Sequence, residues 1–98
     1  MKQVEFDTLV ADVTDSIFAF AEFTKRTEHL FSDAEDAEAL QAYRDAWFEL
    51  EIVNATALDE WESEGRPNEW SEKWNGKFFK DAADTVGLLR DAALRFVK

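Results

Sequence analysis

Punctuation is nearly absent from this chain. One proline and three glycines interrupt its 98 residues, and Gly65, Pro67 and Gly76 fall in one short stretch. A β-rich domain needs a turn about every 8–12 residues. So few turn formers leave long helices with few connections as the economical solution.

The spacing of apolar residues agrees. From about residue 2 to 31, Phe6, Leu9, Val10, Val13, Ile17, Phe20, Ala21 and Phe31 recur mostly in steps of three and four. At about 100° per residue such steps stay on one arc of a helix. Thr24 and Thr27 continue the arc but weaken its last turns, so a bend or early end is expected there. A second stripe over 33–64 comprises Leu40, Tyr43, Trp47, Leu50, Leu58 and Trp61. A third over 77–97 comprises Phe79, Ala82, Ala83, Val86, Leu89, Ala93, Phe96 and Val97. Two breaks separate the three. Ser32-Asp33-Ala34-Glu35 has the capping-box pattern, with Ser at the N-cap and Glu three residues on. Gly65 suits the residue just past a helix end, with Pro67 close behind.

These elements predict an all-α fold, read as one domain over 1–98: a small antiparallel three-helix bundle with a long acidic central helix and a Trp-rich connector. Four Trp and nine Phe supply bulky apolar surface for a core, and Trp47 and Trp61 are expected inside it. In the connector, Trp70 and Trp74 stand at i and i+4, as in a short fourth helix, where they either cap the open end of the core or face a partner. The central helix would span roughly 45 Å, which in so small a domain calls for a projecting end or a dimer. Asn54 falls inside its apolar stripe, between Leu50 and Leu58. There it either finds a Thr or carbonyl partner or sets register and oligomeric state.

Catalytic chemistry finds little material. There is no cysteine, and His29 is the only histidine, which excludes thiol nucleophiles, zinc-thiolate sites and multi-histidine metal sites. Asp33-Ala34-Glu35-Asp36 lacks the glycine and distal Glu of a calcium loop. Gly76 alone is no phosphate-cradling loop. No enzyme activity, catalytic residue, metal or cofactor is expected. The opening Met1-Lys2-Gln3-Val4-Glu5 carries charge where a signal peptide needs an apolar core, and no apolar run has transmembrane length, so a cytoplasmic protein is expected.

Charge is the more informative property. The chain carries −11 in total, which argues against direct contact with nucleic acid or an anionic membrane. Residues 32–72 hold thirteen acids and two bases, whereas residues 73–98 hold three acids and six bases. Opposite its core stripe, the central helix presents Glu38, Asp45, Glu49, Thr56, Asp59 and Glu60, with Ile52 in their midst; Glu51 and Glu62 flank them, and Glu64, Glu69 and Glu72 extend the acidity into the connector. Phe18 and Leu88 also face away from their cores.

The expectation is a non-enzymatic inhibitor that binds a basic surface of a nucleic-acid-binding protein by charge mimicry. Asp45, Glu49, Ile52, Thr56, Asp59, Glu60, Glu64, Glu69, Trp70 and Glu72 form its candidate partner surface. Phage-encoded anti-CRISPR and antirestriction proteins offer an analogy of size and charge, without a shared motif. The alternatives are an immunity protein or antitoxin neutralising a basic nuclease, and a structural or adaptor protein that homodimerises through its exposed apolar residues.

Overall fold

A computed structural model describes residues 3–96, the side chains of residues 3–5 and 9 excepted. Its elements are α1 (Gln3–Val10), α2 (Ile17–Thr27), α3 (Ala37–Ser63), α4 (Ser71–Lys73), a π-helical turn (Trp74–Phe78) and α5 (Phe79–Ala93). No strand occurs among the described residues. The chain is thus an all-α bundle. α3 packs most extensively on α5 and next on α2, and its length sets the long axis of a molecule measuring 43 × 22 × 18 Å.

The expected helix over 2–31 is two helices. Its periodicity runs unbroken through Val10, Val13 and Ile17, which conceals the interruption. The backbone does not follow: Asp12 adopts a left-handed φ of 63°, a conformation Asp tolerates better than most residues. Ser16 then starts α2, its side chain accepting from the Ala19 N–H at 3.1 Å. The sequence signal was Asp12-Val13-Thr14-Asp15-Ser16, five consecutive weak helix formers. The break reverses the chain. Phe6 stacks on Phe31 at 6.4 Å and Asp7 pairs with Arg90 at 2.8 Å, while Thr14 meets Trp74 at the opposite end. The result is an up-down-up-down order of four helices with a short first member.

The expected capping box at Ser32 is not used. Asp36 is the N-cap of α3, accepting from the Ala39 N–H at 3.0 Å. The longer turn lets Phe31 fold inward, edge-on to Tyr43 at 5.0 Å and stacked on Phe96 at 4.5 Å. Gly65 does lie just past the end of α3, with φ +90°, and Arg66 N–H returns to the Trp61 carbonyl at 3.1 Å, the six-to-one bond of a Schellman ending.

Trp70, Trp74, Phe78 and Ala82 are all buried, at three successive steps of four. In a regular α-helix each such step drifts about 40°. The wider turn at Trp74–Phe78, closed by Phe79 N–H on the Trp74 carbonyl, absorbs the drift and keeps the row facing the core. It also rotates α5 about its axis, so the buried row of that helix is Ala82, Thr85, Leu89 and Ala93. Phe79 and Ala83, expected inside, are exposed for this reason. Val97 lies outside the described residues, and Leu9 outside the described side chains.

Trp74 is the largest fully buried side chain. Its Nε1–H donates to the Thr14 carbonyl at 2.8 Å, and its ring meets Phe20 at 5.5 Å. Trp47 and Trp61, expected in the core, are only half-buried along its rim. Asn54 is 7% exposed and its Oδ1 has no hydrogen-bond partner, so no Thr hydroxyl donates to this oxygen.

Two stability measurements test this description. Trp74→Ala is expected to cost about 3–5 kcal/mol in chemical denaturation, and Trp47→Ala distinctly less; equal losses would contradict the burial order. Asn54→Leu removes an unsatisfied buried oxygen and is expected to raise stability by about 1 kcal/mol. A clear fall in its melting temperature would show that the Asn54 carbonyl oxygen is satisfied in solution.

Candidate functional site

α3 divides lengthwise into chemically different faces. Ala39, Tyr43, Leu50, Asn54 and Ala57 point inward. Across from them Glu38, Asp45, Glu49, Thr56 and Asp59 are exposed, with Ile52 at 46% and Phe48 at 60% exposure among them. Asp45 accepts from the Gln41 amide at 2.9 Å, and the Thr56 hydroxyl donates to the Ile52 carbonyl at 2.8 Å. Asp45, Glu49 and Asp59 make no ion pair among the described residues.

Glu60 and Glu64 belong elsewhere. Glu60 turns toward the π-helical turn, where Lys77 and Lys73 both reach it. Glu64 receives Lys73 at 3.1 Å and the Trp70 Nε1–H at 3.1 Å. These contacts, the Trp70 bond foremost, hold the Glu64 carboxyl below its ordinary range, and the bond to Glu64 raises Lys73 in turn. Glu69 accepts from the backbone N–H and hydroxyl of Ser71, which lowers its carboxyl likewise. Trp70, stacked on Phe78 at 5.7 Å, is 6% exposed. Of the ten expected surface residues, the structure therefore gathers Asp45, Glu49, Ile52, Thr56 and Asp59 on one open face. It assigns Glu60, Glu64 and Trp70 to holding the connector, while Glu69 orders the start of α4 and Glu72 stays exposed beside it.

Sequence reasoning missed Phe48. It neighbours Trp47, which belongs to the inward arc, and an aromatic beside an arc residue attracts no notice in a periodicity count. In the fold it borders an open groove of about 330 Å³ with Trp47, Arg44, Glu28 and His29. The Trp47 ring is fixed there, its Nε1–H donating to the Thr24 carbonyl at 2.9 Å. Phe18, expected to face outward, is 48% exposed and meets Trp61 edge-on at 5.6 Å. Leu88 is 52% exposed.

Among the described residues no group of three or more His, Asp or Glu side chains is placed to hold a metal ion, and no helix is long and apolar enough to cross a membrane. His29 is exposed, 3.7 Å from the Glu28 carboxylate. Comparison with protein-family models, curated proteins and solved structures finds no match.

The Glu64 clamp has a pH signature. A carboxyl lowered by folding stabilises fully above its unfolded value of about 4.3 and loses that contribution as pH falls through the folded value. Glu64→Gln is expected to lower the melting temperature at pH 7 and to lose less of it than the parent below about pH 4. Parallel acid limbs for the two proteins would deny the clamp a share in stability.

Proposed function

We propose that this chain is a non-enzymatic inhibitor that occupies a basic surface of a nucleic-acid-binding protein through the outer face of α3. The observation that carries the reading is the partition of charge. Lys73 and Lys77 are committed to Glu60 and Glu64, so these two cations neutralise the end of α3 beside the connector and leave the outer carboxylates uncompensated. A rigid row of unpaired carboxylates projects a field that steers a basic partner and accelerates association.

The match to nucleic acid is one of field. Glu38, Asp45, Glu49, Glu51 and Asp59, none of them ion-paired among the described residues, are distributed from residue 38 to residue 59 of α3, a rise of about 32 Å. One DNA strand places a phosphate about every 3.4 Å along its axis, close to twice that density. The reading is therefore charge complementarity to a basic protein surface, without a phosphate-by-phosphate copy. A phage-type anti-defence protein, of the anti-CRISPR or antirestriction kind, is the setting that size and charge favour. A basic nuclease held by an immunity protein or antitoxin presents the same surface.

Because Glu60 is tied to two lysines, the informative charge reversal is Asp45, Glu49 and Asp59 to Lys. With the parent as bait, affinity capture from a host lysate is expected to retain a basic nucleic-acid-binding protein that added DNA or RNA displaces. In the triple variant that association should be slower, with a flatter salt dependence and an unchanged helical spectrum. Capture indifferent to the three reversals, or to competing nucleic acid, would remove the proposal.

A further inference from the structure

We infer that the outer face of α3 receives a basic amphipathic helix of the partner, whose apolar side chain seats in the groove between Trp47 and Phe48 while its cations meet Asp45, Glu49 and Asp59. This rests on the acidic-face reading and adds to it a hydrophobic anchor and the shape of the partner.

Phe48 is the most exposed of the large hydrophobic side chains among the described residues, and Ile52 stands one turn later on the same face. The groove beside Phe48 has a fixed wall. Trp47 is held by its bond to the Thr24 carbonyl, and one turn away the Tyr43 hydroxyl is held by the Thr27 carbonyl at 2.7 Å. A wall already ordered in the free protein loses little freedom on binding. Aromatic side chains ringed by charge are also where interface energy concentrates.

Within the groove Arg44 and Glu28 offset each other, and the unpaired carboxylates of Asp45, Glu49 and Asp59 beside it select the occupant. A second copy of this chain laid on the face would oppose Asp45, Glu49 and Asp59 to their own like charges. A polycation without apolar groups would leave Phe48 and Ile52 facing water. A helix carrying cations along the flanks of an apolar row satisfies both. From Asp45 to Asp59 the face measures about 21 Å, which such a helix covers in about fourteen residues.

The test uses the full 15N-labelled chain and two synthetic fourteen-residue peptides of equal charge. One carries Lys with Leu at helical i, i+3, i+4 spacing, and in the other Ala replaces every Leu. The Leu peptide is expected to shift the amides of residues 44–56 and to bind about tenfold more tightly than the Ala peptide. Phe48→Ser, at a position 60% exposed where the helical spectrum is expected to stay intact, should erase that advantage and keep the weaker electrostatic binding. Ile52→Ser should reduce it in part. Equal binding of both peptides to the parent overturns the groove and leaves the acidic face standing. Binding of neither overturns both readings. Peptide-free shifts at residues 44–56 that grow with protein concentration overturn the inference in favour of a second copy.

Discussion

Where α1, α2 and α3 stop, an aromatic side chain reaches in and donates a hydrogen bond to a carbonyl at or just past the helix end. Trp74 crosses 60 residues of sequence to the Thr14 carbonyl, in the break that separates α1 from α2. Tyr43 and Trp47 reach the Thr27 and Thr24 carbonyls at the end of α2, and Trp61 reaches the Pro67 carbonyl beyond the end of α3. Terminal carbonyls have no partner within their own helix, and left dry they are costly. Burying an indole or phenol ring against such an end supplies apolar area and the missing donor in one group. This also fixes the register of α2 on α3, because Tyr43 and Trp47, one turn apart, fit only one placement of the α2 terminus. Burial correspondingly raises the Tyr43 phenol well above its ordinary value. The two threonines join the arrangement by donating back to the Phe20 and Phe23 carbonyls, which lets polar residues sit fully buried in α2.

That arrangement explains which parts of the fold were legible. Helical class, the long central helix and the ending at Gly65 are properties of local sequence, and local sequence carried them. Thr24 and Thr27 were readable as a weakening of the first helix, and α2 ends at Thr27. The division at Asp12 was hidden because the apolar phase continues through it; the helix breaks there through the low propensity of residues 12–16 together with a distant tryptophan that satisfies the opened backbone. Likewise the π-helical turn depends on lining up Trp70, Trp74, Phe78 and Ala82, a demand of packing that a fixed angle per residue cannot express. The outward rotation of Phe79 comes from the same turn.

The candidate surface was legible in its chemistry and less so in its membership. Counting charge by segment located the acidity, but the fate of each acid depends on its neighbours in space. Glu60 and Glu64 stand one turn apart in sequence and face Lys73 and Lys77, which a separate helix brings alongside. Those pairs are partly exposed, so their value to stability is small. Their larger consequence is spatial: they cancel acidity where the connector packs and leave it intact on the opposite side of α3.

The same partition bears on how a small acidic protein keeps an aromatic side chain in water. An exposed phenylalanine beside an exposed isoleucine invites self-association, which the like charges of the carboxylates at positions 45, 49 and 59 would oppose. Like charges in that register would disfavour the symmetric pairing, and on the proposed reading they leave the apolar row to a cationic surface. Specificity of this kind comes from what is repelled as much as from what is attracted. In the proposed complex the repulsive part would be built into the helix that carries Phe48, so removing the charges is expected to favour self-association through Phe48 at the same time as it weakens binding of a basic partner.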